Sequence, residues 1–339
     1  MSKQVQTAIQ QSDIAVNVNV VTKTYEQWQR TGQGKNILKN LINPEKKIVK
    51  ALDDISFKVN KGEFVAYAGP NGAGKSTTMK LLCGMLVPGA GNIEVLGLSP
   101  QKQRIALMKR VGVLFGNRTE LWWDHPVTSS FEWKRVVWDI PAKEFKKTRD
   151  QVVELLDIGH FINTFARELS LGQRMRADLA MMLLHQPELI LLDEPTLGLD
   201  VLAKRQMISF LKELNKEMKT TNIVTSHDMD DLEEMAQRIL LISNGKITFD
   251  GGFGSLHKIA GGLCSVILTM KDSFVPMLAC GRLVSESCGI CEYEVDMSKT
   301  PIKSVLSEIA AIEGVVDIEM RKAPIEKIIA ELYSNWKEH

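Results

Sequence analysis

The spacing of apolar and polar residues changes several times along the chain, and each change marks an element. Ile14 to Val21 alternates apolar with polar positions and predicts a strand, as does Ala51 to Val59. Glu63-Phe64-Val65-Ala66-Tyr67-Ala68 is nearly all apolar and predicts a buried strand, followed by an apolar helix from Ser76 to Leu86. Shorter strands are predicted at Asn92 to Leu96, Val111 to Phe115 and Asn222 to Thr225, with a long apolar run at Glu188 to Leu192. Helical spacing takes over between Leu121 and Gln186, in the stretches Phe131 to Trp138, Ala142 to Leu156 and Leu171 to His185. Strands separated by helices predict an α/β core.

Past Asp250-Gly251-Gly252 the pattern changes again. Gly251 to Gly262 reads as a linker, and Cys264 to Met270 and Cys291 to Met297 as strands. Ile302 to Ile312 reads as helix, Val315 to Met320 as extended chain and Pro324 to Trp336 as helix, so a small α+β appendage is expected. Near the other end, Glu26 to Lys50 looks inserted between two strands. Arg30, Lys35, Lys39, Lys46, Lys47 and Lys50 make it basic, while Ile37, Leu38, Leu41 and Ile42 can line one helix face. It reads equally as a basic amphipathic segment for an anionic surface and as a solvated hairpin.

Composition narrows the class. A formal charge of +1 over 339 residues argues against a general nucleic-acid binder, and 44% hydrophobic residues are ample for a core. No apolar run reaches the roughly 18 residues that a spanning helix needs. Met1 to Asp13 is polar and Gln-rich, unlike a signal peptide, so a cytosolic chain is expected. Of five cysteines, Cys83 falls in the apolar helix as a small core residue. Cys264, Cys280, Cys288 and Cys291 are read as reduced thiols, with a zinc site the alternative.

The densest chemistry is Gly69-Pro70-Asn71-Gly72-Ala73-Gly74-Lys75-Ser76-Thr77, which fits G-x-x-x-x-G-K-[S/T] between a strand and a helix. Backbone N–H groups of such a loop wrap a polyphosphate, and the helix N-terminus faces the anion. Lys75 reaches the β- and γ-phosphates, Ser76 offers a hydroxyl to Mg²⁺, and Thr77 can bond a phosphate oxygen. This predicts an ATP or GTP site. Downstream, Leu189-Ile190-Leu191-Leu192 ends in Asp193-Glu194. Asp193 is placed to hold hydrated Mg²⁺, and Glu194 to polarise an attacking water.

Before that strand stands Leu169-Ser170-Leu171-Gly172-Gln173, which resembles the signature of ATP-binding cassette (ABC) ATPases, with Leu171 where Gly is more usual. Further elements of that family follow in order: Gly198-Leu199-Asp200 resembles the D-loop, and Thr225-Ser226-His227-Asp228 the switch histidine. Tyr25 falls at the adenine-stacking aromatic, and Asn117 at the Q-loop residue that touches Mg²⁺, usually Gln. The resemblance covers about Ile14 to Gly252. It implies a P-loop NTPase cassette at 1–252, a RecA-like mixed sheet core plus a helical subdomain at about 121–187, with a small α+β domain at 253–339.

The resemblance also implies a function. ATP and Mg²⁺ are the expected cofactors, and a second copy of the chain the expected partner. In the family two cassettes pair head to tail, so that Ser170, Leu171, Gly172, Gln173 and Asp200 act on a nucleotide held by the other copy's Lys75. Membrane permease subunits are expected to dock near Asn117 to Val127, where Trp122 and Trp123 are either contact residues or subdomain packing. The C-terminal extension, including Ala323-Pro324-Ile325-Glu326-Lys327-Ile328-Ile329, resembles type-2 exporters of the daunorubicin-resistance and sodium-efflux kind. The expected protein is an exporter ATPase on the cytoplasmic face of the membrane. Its rivals are a soluble ABC ATPase acting on ribosomes or DNA, and an importer ATPase.

Overall fold

The structure, a computed structural model, describes residues 13–29, 45–115, 118–259, 263–271, 274–297 and 299–322. The chain forms two compact units, Met1–Asp250 and Gly251–His339.

The first unit is built on a six-stranded sheet. Its strands are β3 (Phe64–Ala68), β5 (Val111–Phe115), β6 (Leu189–Asp193), β7 (Thr221–Thr225), β8 (Arg238–Ser243) and β9 (Lys246–Gly252), in the order β5-β6-β7-β3-β8-β9. The β5–β6, β6–β7, β7–β3 and β3–β8 pairs are parallel. Parallel strands are covered on both faces, which is why β3, β6 and β7 read as unbroken apolar runs and are buried almost throughout. A second, antiparallel sheet runs in the order β2-β1-β4, with β1 Ile14–Gln29, β2 Glu45–Asn60 and β4 Ala90–Val95. Val16, Val18, Ile55 and Val59 from it share one core with Tyr67, Leu191, Ile223 and Leu240 of the six-stranded sheet.

Helix α1 (Lys75–Leu82) leaves the loop after β3. It stops four residues short of Leu86. Gly84 has φ 69 and Met85 N–H turns back to Lys80 C=O at 2.8 Å, and a Cβ at Gly84 would stand 2.4 Å from the Pro100 carbonyl oxygen. After the short α2 (Arg104–Met108) and β5 come α3 (Val127–Val137), α4 (Ala142–Leu155) and α5 (Leu171–Leu183), close to the predicted helices. Pro126 and Pro141 precede the first two, and Ser170 starts the third with a reciprocal Ser170–Gln173 capping box. Helices α6 (Val201–Met218) and α7 (Met229–Met235) flank β7.

Of the two readings of Glu26 to Lys50, the hairpin is the one found at both ends of the stretch. Strands β1 and β2 continue as a hairpin from Ile14↔Asn60 to Gln29↔Glu45, with register shifts after Val18 and Val21 that break the alternation on which the shorter strand was read. Residues 30–44, with most of the basic and apolar positions singled out there, lie outside the described residues.

The second unit holds an antiparallel sheet ordered β11-β12-β10-β13, with β10 Leu263–Met270, β11 Gly281–Ser287, β12 Ile290–Asp296 and β13 Val315–Lys322. Helix α9 (Ile302–Ala310) brings Val305 and Ile309 onto the face formed by Val266, Leu268, Cys291, Tyr293 and Val295. The stretch expected to be a linker is instead the end of β9 and a helix, α8 (Phe253–Ile259), with Phe253 and Leu256 buried one turn apart. Cys264 stands opposite Val295 and Cys291 opposite Leu268, at the two ends of the β10–β12 pair. Among the described residues no three Cys, His, Asp or Glu gather as a metal site. The extension from Ala323 lies outside the described residues. No helix among the described residues is long and apolar enough to cross a membrane.

Candidate nucleotide site

The loop between β3 and α1 is fixed by its glycines. Gly74 has φ 117, and a Cβ there would lie 2.6 Å from the Ala51 carbonyl oxygen and 2.7 Å from Leu52 Cδ2. At Gly69 it would lie 2.1 Å from the Ile242 carbonyl oxygen. Gly72, at φ 80, has open space on its Cβ side. Ala73 is buried and ties the loop inward: its N–H bonds Pro70 C=O, and its C=O accepts from Gly245 N–H.

Lys75 is 7% exposed, yet its Nζ donates only to neutral carbonyls, Gly69 at 2.6 Å and Pro70 at 3.3 Å. Burial lowers its pKa, against the opposing pull of Glu194 and Asp193. A buried ammonium without a contact carboxylate is a ready partner for a polyphosphate. Ser76 Oγ donates to Asp193 Oδ2 at 2.9 Å, and Thr225 Oγ1 to Asp193 Oδ1 at 2.7 Å. A hydroxyl and a carboxylate at this separation are the hard oxygen donors that Mg²⁺ takes. The donor set therefore fits a magnesium-bound triphosphate.

Glu194 follows Asp193 at φ 61, a left-handed conformation that costs a glutamate about 1–3 kcal/mol. Its N–H is held by the Thr225 carbonyl and by Thr225 Oγ1, each at 3.1 Å. Its carboxylate lies 3.1 Å from His227 Nε2. Burial raises the Glu194 pKa, while His227 and Lys75 pull it back. The group is thus a stronger base than an exposed glutamate. Thr225, which the sequence reading had as a strand end and the first residue of the switch-histidine motif but without a role of its own, connects both carboxylates.

Pro70, Asn71, Gly72, Gly74, Lys75, Ser76, Thr77, Asp193, Glu194 and His227 together line one cleft of about 470 Å³. Tyr25 does not line it. It stands on β1 opposite Val49, with Lys23 Nζ 5.6 Å from its ring centroid. Asn117 lies outside the described residues. Ser170, Leu171, Gly172, Gln173 and Asp200 line a different cleft, of about 460 Å³, that shares no residue with the first. Asp200 caps α6 there, accepting from Ala203 N–H at 2.9 Å. One chain therefore collects the loop, both carboxylates and the histidine, and holds the Ser170 segment apart. Trp122 and Trp123 are 39% and 49% exposed. Trp122 packs tilted against Trp133, and Arg174 lies over the Trp123 ring at 4.7 Å.

A family model described as ABC transporter matches residues 52–197. An ABC transporter ATP-binding protein of Bacillus subtilis, NatA, is 31% identical over 63% of this chain and 87% of its own. The chain belongs to the ABC transporter ATP-binding protein family. It is an ATPase cassette and an ATP-binding subunit of a transporter. A bacitracin transport ATP-binding protein of Bacillus licheniformis is 30% identical over 62% of this chain and 67% of its own. A methionine import ATP-binding protein of Carboxydothermus hydrogenoformans is 29% identical over 63% and 65%. Among solved structures, a dimeric ATP-binding cassette with ADP and phosphate matches at TM-score 0.58 and 24% identity, over 70% of this chain and 98% of that one. That likeness shows the cassette fold.

Proposed function

We propose that this cassette is the ATP-hydrolysing subunit of an exporter, and that it works as a head-to-tail pair beneath separate membrane permease subunits. Mg·ATP would lie on the Gly69–Thr77 loop. Lys75 neutralises the β- and γ-phosphates and Ser76 and Asp193 hold Mg²⁺, whose charge stabilises the leaving group when bound. Glu194 takes a proton from the attacking water, and His227, 3.1 Å from it, orients that carboxylate and faces the γ-phosphate. The observation that supports the pairing is the separation of the two clefts: Ser170, Gly172, Gln173 and Asp200 line none of the cleft that holds this loop, and a second copy would bring them to a phosphate there.

Export is favoured by the sodium-efflux-type resemblance of the sequence; the methionine import relative makes uptake the competing direction. The half-exposed Trp122 and Trp123 suit a permease contact, because such aromatics contribute most at the centre of an interface. On this reading the chain works on the cytoplasmic side of a membrane. Purifying the tagged chain from its native membranes tests the assignment. Polytopic membrane proteins should co-purify and be lost when Trp122 and Trp123 are both changed to Ala. Recovery of ribosomes instead would refute the transporter role.

A further inference from the structure

The phosphate cleft contains a cation that none of the family motifs accounts for. Arg118 lines it together with Phe115, Glu194 and His227. Most arginines of the first unit are engaged by carboxylates: Arg110 by Glu188, Arg167 by Asp124, Arg238 by Glu63 and Asp250. The exposed Arg118 side chain has no hydrogen bond or ion pair among the described residues.

Its place is set from both sides. Phe115, the last residue of β5, is in register with Asp193 on β6. Arg118 N–H donates to Phe115 C=O at 2.8 Å. Immediately after it, Thr119 Oγ1 and Glu120 N–H both donate to Asp178 Oδ1, at 2.8 and 3.1 Å. Asp178 is buried on α5, the helix that begins with the Ser170 segment, and Glu120 also meets the buried Lys134 of α3 at 3.0 Å. The backbone at Arg118 is therefore tied to the end of β5 on one side and, through the next two residues, to α5 and α3 on the other, and its side chain lines the cleft that also holds Glu194 and His227, the groups assigned to the terminal phosphate.

We propose that Arg118 binds the γ-phosphate of ATP from within the same chain and makes the site selective for triphosphate over diphosphate. This rests on the nucleotide-site assignment above. A guanidinium presents a planar fork of donors to phosphate oxygens, and its charge adds to that of Lys75 in the same cleft. Because the residues after Arg118 are tied to α5 and α3, occupancy of the γ-position also bears on the helices that carry the Ser170 segment.

The test is a pair of titrations on the full chain with Mg²⁺, one with ADP and one with the non-hydrolysable analogue AMP-PNP. In Arg118→Ala the Kd for AMP-PNP should rise about tenfold, the loss of one charge-assisted contact, while that for ADP changes less than about twofold. Arg118→Lys should recover part of the difference. Equal changes for the two nucleotides, or no change for either, overturn the proposal. Lys75→Ala serves as the control for the underlying site. Unchanged affinity in that variant would show that the nucleotide lies elsewhere, a failure separate from that of Arg118.

Discussion

Thr225→Val tests the site at its least obvious point. Thr225 is fully buried at the end of β7, and valine nearly matches its shape. The substitution removes the 2.7 Å hydrogen bond to Asp193 Oδ1 and one of the two acceptors on Glu194 N–H, and leaves the backbone acceptor in place. A hydrogen bond to a charged group contributes about 1.5–3 kcal/mol, and Asp193 is half-buried, so the folded state should lose about 2 kcal/mol of stability in a urea titration. The same loss frees Asp193 to turn about its remaining tie to Ser76, and a 1.4 kcal/mol penalty on the metal-binding geometry is a factor of ten. The Mg²⁺ concentration for half-maximal ATPase rate should therefore rise about tenfold, with Thr225→Ser close to the parent. A Thr225→Val chain with unchanged Mg²⁺ dependence and unchanged stability would refute the idea that this hydroxyl organises the two carboxylates.

Other outcomes follow from the same geometry. Gly74→Ala must place a Cβ against the Ala51 carbonyl at a φ that alanine avoids, and should lose about 2–4 kcal/mol of stability in chemical unfolding together with nucleotide binding. Burial raises the Glu194 pKa, so the base is lost on acidification earlier than an ordinary glutamate; the acid limb of the ATPase pH profile should lie above 4.5 and vanish with the activity in Glu194→Gln. Asp178 is pushed up to about 6 by burial, above its ordinary 3.8, so the folded state binds the extra proton between those values. Its contribution is greatest below pH 3.8 and is lost as pH rises through 6; Asp178→Asn, which keeps an acceptor for Thr119, should flatten that part of the stability-versus-pH curve measured by thermal unfolding.

The parts of the fold that sequence made legible are those in which one interaction dominates. Buried parallel strands cannot alternate, and Phe64 to Ala68 and Leu189 to Leu192 announce themselves as apolar runs. The loop from Gly69 to Thr77 is legible for a steric reason, since Gly69 and Gly74 have no room for a Cβ. Strand β11 escaped notice because a register shift between Leu283 and Ser285 destroys its alternation, and α8 because two flanking glycines suggested a linker. Thr225 and Arg118 are the site residues that sequence did not supply. In the sequence Thr225 stands only as the start of the switch-histidine motif and Arg118 in no motif; each is placed by strand register, β7 beside β6 and β5 beside β6, that only the assembled sheet defines. A backward reading of register would have found them, since Asp193 is opposite both Phe115 and Thr225.

The central claim is that each ATP site is completed by a second copy, and mixing two inactive variants tests it most directly. Lys75→Ala removes the loop's cation and keeps the Ser170 segment; Ser170→Arg blocks that segment and keeps the loop. Each alone should be without ATPase activity. Mixed in equal amounts, random pairing yields one intact site in half of the pairs, and the rate should return to about one quarter of the parent's. A mixture as inactive as its components, with mixed pairs shown to form by tag capture, would contradict a site shared between two chains.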